Sequence, residues 1–176
     1  MSSERTHLKR TFPLLLILLG GALMAGAALF TWYNQGLAQP GGIPLPQSLA
    51  GESLLEQSAE GQAVQEINNL HGNAFIFRAA AVGVYGEQAN AVVWAAQTGL
   101  PWQAGDVLMD MHASIAESDS PFTPTGHTDV DGNTIYTLEG LGQLHYYWRS
   151  GSEVIWLSAD EELAETALSE CIAYFR

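Results

Sequence analysis

One cysteine, six lysines and arginines together, and five histidines with no useful spacing are all that this 176-residue chain offers to several common chemistries. A lone Cys171 excludes an intrachain disulfide, a CxxCH haem attachment and any four-cysteine cluster, and its place in an apolar helical stripe reads as a small buried hydrophobe. His7, His71, His112, His127 and His145 include no i, i+4 pair, the spacing that presents two imidazoles to a metal from one helical face. No GxSxG pentapeptide marks a serine nucleophile, and neither GxxxxGK[ST] nor a GxGxxG opening a helix marks a nucleotide loop. No catalytic, metal or cofactor constellation is therefore expected, and the chain does not read as an enzyme.

Cations are scarce and unevenly placed. Arg5, Lys9 and Arg10 stand at the N-terminus with Glu4, whereas the rest of the chain sets Arg78, Arg149 and Arg176 against 18 carboxylates. The two regions carry formal charges of +2 and −15, which make up the −13 of the chain. A field of that sign repels phosphate backbones and anionic head groups, so nucleic acid is not an expected partner and the domain is expected to stand off the membrane surface. It would attract a basic protein or a divalent cation, and it also keeps a domain dispersed. Asp129, Asp131 and Asn133 alternate as in part of a calcium loop, but position twelve is Gly140 rather than a bidentate carboxylate; Asp131-Gly132 is better read as hairpin chemistry. Asp106 and Asp110 share a helix face that reads as solvated.

Long uninterrupted apolar runs are absent except for one. Residues 12–33, FPLLLILLGGALMAGAALFTWY, hold no charge, and 22 residues at ~1.5 Å each give ~33 Å, enough to cross a ~30 Å hydrocarbon core. The basic cluster before this run, and the lack of any cation after it until Arg78, predict a cytoplasmic N-terminal tail over 1–11 and an extracytoplasmic remainder. Trp32 and Tyr33 suit the outer interface, and Pro13 falls where a first helical turn is expected. The competing reading is a signal peptide cut after Ala38, disfavoured by the length of the run and its aromatic end. Gly21 with Ala25, and Ala22 with Gly26, are small residues four apart that let a second helix backbone approach.

Residues 34–51, rich in glycine and proline, read as an extended tether, and 52–176 as one acidic domain. Within it, helices are predicted over 52–70, 104–117 and 159–175, the last started by a Ser158/Glu161 capping box. Strands are predicted over 74–85, 90–97, 127–130, 133–138, 143–149 and 153–158. The order α-β-β-α-β-β-β-β-α predicts an α+β fold, an antiparallel sheet with helices packed on one face. On strand 143–149, alternation puts His145, Tyr147 and Arg149 on one side and Leu144, Tyr146 and Trp148 on the other. The first set is the expected partner or ligand surface, with Arg78, and each arginine is expected to pair with a carboxylate. Together these features predict a non-catalytic, membrane-anchored accessory subunit or adaptor whose partners are the lipid bilayer, a membrane protein and a basic protein surface. The alternative is a tethered extracytoplasmic sensor or ligand-binding module.

Overall fold

The computed structural model describes the backbone over residues 4–71, 75–116 and 120–176, and the side chains over the same residues except 4–12, 14 and 71. The basic side chains of Arg5, Lys9 and Arg10, the Gly72 expected to stop a helix and the Glu117 expected to end another lie outside the described residues. The chain forms two compact units, Met1–Ala38 and Gln39–Arg176.

The first unit is one helix, α1 (Glu4–Ala38), within which Leu15–Ala38 is long and apolar enough to cross a bilayer and has no buried residue. Because the helix starts at Glu4, Pro13 lies inside it rather than in its first turn, and its missing N–H removes one intrahelical hydrogen bond.

In the second unit, β1 (Gly41–Gly42) and β2 (Ser48–Leu49) precede β3 (Glu52–Ala59), which runs into α2 (Glu60–His71). Then come β4 (Ala79–Tyr85), β5 (Ala91–Gln97), α3 (Pro101–Ala116), β6 (Phe122–Val130), β7 (Asn133–Gly140), β8 (Gln143–Ser150), β9 (Glu153–Ala159) and α4 (Glu161–Tyr174). The strands make one sheet in the order β2-β3-β4-β5-β9-β8-β7-β6, antiparallel throughout except that β1 pairs with β4 in parallel.

Three expectations are corrected. The tether over 34–51 is not a tether: Ile43, Leu45 and Leu49 are buried in the core beside Tyr85, so the folded unit begins at Gln39 rather than 52. The helix expected over 52–70 is half strand, because pairing with β4 outweighs the helical spacing of Ala59 and Ala63. The helices do not pack on one face. α4 covers the face bearing Val93, Ile155, Leu157 and Trp148 through Ala164, Ala167 and Cys171, while α2 and α3 cover the alternate residues Val82, Val92, Val154 and Tyr147. Strands β4, β5, β8 and β9 bury side chains on both sides, and a sheet of that kind needs two covers.

Turn chemistry sets the register. Asp131 (φ 52°) and Gly132 (φ 83°) make the predicted two-residue hairpin, and Ala50-Gly51 and Leu141-Gly142 repeat its paired positive φ values. Ser158 belongs to β9 and does not cap α4; Asp160 is the N-cap residue and makes no side-chain cap bond. Its carboxylate instead accepts from Asn90 Nδ2 at 2.9 Å and Gln143 Nε2 at 2.9 Å, tying three chain segments at one end of the sheet.

Candidate functional site

The largest concentration of polar aromatic side chains is a row across the strands under α2 and α3. Register places His127 opposite Tyr136, Tyr136 opposite Tyr147, Tyr147 opposite Trp156 and Trp156 opposite Trp94, a ladder through β6, β7, β8, β9 and β5. Tyr136 and Tyr147 stack at 4.9 Å between centroids and 19° between planes, and Tyr147 and Trp156 stack at 5.4 Å and 19°. Directly opposed aromatic residues on one sheet face meet in this way because the pleat brings their Cβ atoms together.

His145 sits one step along the same face, edge-on to Phe122 at 4.7 Å. Trp156 Nε1 donates to His145 Nδ1 at 3.1 Å, so Nδ1 must be the acceptor and Nε2 carries the proton, which it donates to the Gly140 carbonyl at 2.9 Å. Burial lowers the His145 pKa, against the opposing pull of the Gly140 carbonyl, and both ring nitrogens are already used. Its neighbour Tyr147 shares a hydrogen with His112 Nδ1 across 2.8 Å, and burial, then Tyr136, pushes its hydroxyl up to about 12. Neither group is set up as a base or a nucleophile near neutral pH.

The expected contact face on β8 is therefore corrected: His145 is 4% exposed and Tyr147 1%, both under cover rather than presented to solvent. Arg149 is exposed, and its guanidinium donates to the Pro101 carbonyl at 3.2 Å. Arg78 lies just before β4, not inside it, where its N–H donates to the Gln97 carbonyl and its carbonyl accepts from Gly41. Arg149 thus shares a strand face with His145 and Tyr147 but is exposed where they are buried, and Arg78 lies on another segment of the chain. Gly21, Ala22, Ala25 and Gly26 lie on α1, where a Cβ at Gly21 or Gly26 would meet nothing within 4 Å.

A shallow cleft of about 20 Å³, room for roughly one water molecule, lies between α2, α3 and the sheet, floored by Trp94, Ala96, Val154 and Trp156 and walled by Ile67, Phe75 and Met111. Its lining is apolar, and it offers no polar group to orient a ligand for reaction. Tyr136, Tyr147, Trp156 and Trp94 all fall on predicted strands, but periodicity does not supply the register that aligns them into a ladder. Among the described residues, no three His, Cys, Asp or Glu side chains converge as a metal-binding group. Compared with protein-family models, with curated proteins and with solved structures, the chain matches none.

Proposed function

We propose that the chain is a non-catalytic accessory subunit or adaptor of a membrane assembly, held by α1 with its N-terminus in the cytoplasm and its acidic domain outside. The observation that supports the reading most is α1 itself: its apolar side chains are exposed along the whole candidate span, and its small-residue face has open space on it. Such a helix is satisfied only by lipid and by other helices, and Gly21, Ala22, Ala25 and Gly26 are where another backbone would come closest. The domain supplies the second contact through its −15 charge, directed at a basic surface whose association is steered electrostatically.

Replacing Gly21 and Gly26 together by leucine should reduce the yield of partners that co-purify in mild detergent, and raising salt should loosen the domain's share of the contact. Wild-type yield of the same partners with the leucine variant would refute this.

A further inference from the structure

We infer that His145 latches an acid-opened flap: when its ring takes up a second proton, residues 120–124 at the start of β6 lift from β7 and uncover Trp156. The inference concerns the domain alone and does not depend on α1.

The latch is a matter of donors and acceptors. Trp156 Nε1 can only donate, and it is aimed at His145 Nδ1 at 3.1 Å, while Nε2 donates to the Gly140 carbonyl at 2.9 Å. A proton arriving at Nδ1 sets two donors against each other and leaves a charge between the rings of Phe122 and Trp156, whose centroids lie 4.7 Å and 5.7 Å from the imidazole. The ring is 4% exposed, so water can solvate that charge only if a cover moves.

Register shows which cover is the weakest. His145 is flanked by Leu138 of β7 and Ser158 of β9, and both of these strands are paired on their two sides. β6 is the edge of the sheet, held by β7 alone. A bulge between Pro124 and Gly126 divides it, so Phe122, Thr123 and Pro124 pair with 138–140 apart from the run 126–130. In that short piece Pro124 has no N–H to give, and the Phe122 N–H turns back to Ser120 Oγ at 3.2 Å. What holds it is the Phe122 ring, which packs edge-on against His145 and sits on Gly140, where a Cβ would come within 2.6 Å of it. A segment with few backbone bonds and one ring contact is the first to open.

Among the described residues, the other titratable and charged groups of the elements around His145 are placed differently. Tyr147 and Tyr136, with His112 of α3 and His127 of β6, form the aromatic row beside it, and Tyr147 is bonded to His112. Asp160, just past β9, is engaged by Asn90 and Gln143, Asp129 by Thr134, and Arg149 by the Pro101 carbonyl. Asp106 and Asp110 of α3 are exposed, and Glu139 and Glu153 alternate onto the opposite face of the sheet. Burial lowers the pKa of His145, so the closed flap is favoured at neutral pH. That stabilisation is complete above the open-state value of about 6.5 and is lost as pH falls toward the lower closed-state value.

The test is hydrogen exchange on the full-length protein in detergent, read at the amides of Phe122 and Thr123 and corrected for the intrinsic pH dependence of exchange. One proton taken up per opening predicts that their protection falls about tenfold between pH 6.5 and 5, while 127–130 and 133–138 keep theirs. His145→Gln retains an acceptor and a donor but takes up no proton, and its protection should stay constant over that range. Ring nitrogen chemical shifts of wild-type His145 report its charge directly, so the test stands even if the variant fails to fold: ring titration and loss of protection should coincide. The proposal is overturned by equal loss of protection in His145→Gln, by simultaneous loss along the whole of β6 and β7, by a charged ring with Phe122 and Thr123 still protected, or by unchanged protection down to pH 5.

Discussion

Along α1, Leu15, Ile17, Leu18, Met24 and Phe30 are between 62% and 75% exposed, whereas in Gln39–Arg176 the side chains of Tyr85, Trp148, Ile155 and Leu157 are at 0% or 1%. The residue types are similar; the difference lies in who satisfies them. The domain buries its core side chains against its own sheet and helices. The helix has no such cover, and only a second medium or a second helix can provide it. One region thus builds its own core, and the other is a helix long and apolar enough to cross a membrane.

This comparison can be sharpened first at its largest expected effect. Trp148→Ala empties the centre of the face under α4 and should cost about 3–5 kcal/mol of domain stability, read from the urea midpoint in detergent. Leu18→Ala, an equally apolar truncation in α1, should leave that midpoint in place. If both shift it alike, the two regions are not independent.

A smaller loss is expected from Gly140→Ala. Its Cβ would lie 2.7 Å from the Pro121 carbonyl and 2.6 Å from the Phe122 ring, so the β6–β7 pairing must shift, at about 1–3 kcal/mol. Because the Gly140 carbonyl accepts from His145, the altered contact should also show in the fluorescence of Trp156.

Below that comes a pH effect confined to the domain. His145 is folded in its neutral form with its pKa lowered by burial, so the unfolded chain binds the proton more readily. Its stabilising contribution is complete above the unfolded value of about 6.5 and is lost as pH falls from there toward the lower folded value. Wild-type protein should lose stability between pH 7.5 and 5.5 relative to His145→Gln, measured by denaturant midpoints; an identical pH dependence in both would contradict the neutral, doubly bonded imidazole. The smallest signal is chemical. Burial pushes the Cys171 thiol up to about 12, and native protein should leave a maleimide unreacted until denaturant is added.

The elements that were legible from sequence share a local cause. The uncharged run of α1, the Asp131-Gly132 turn and the strands β5, β7, β8 and β9 each carry their own pattern of hydropathy or turn residues, whereas β6, expected only over 127–130, begins at Phe122. What the sequence concealed was decided by pairing at a distance. Residues 41–49 look like a Pro/Gly tether until β1 meets β4 and Ile43 and Leu45 fill the space beside Tyr85. The turns at Ala50-Gly51 and Leu141-Gly142 lack the Asn or Asp that would have flagged them. His145 and Tyr147 were correctly placed on one face of β8, but the strand alone could not show that α3 and Phe122 cover that face.

The central claim, that α1 spans a membrane and holds the domain outside, is tested most directly by protease accessibility on intact spheroplasts combined with alkaline carbonate extraction. The account predicts full-length protein in the carbonate-resistant membrane pellet and complete loss of Gln39–Arg176 when protease is added from outside. A domain protected from protease under conditions that digest an external control, or a soluble product beginning at Gln39, would contradict it.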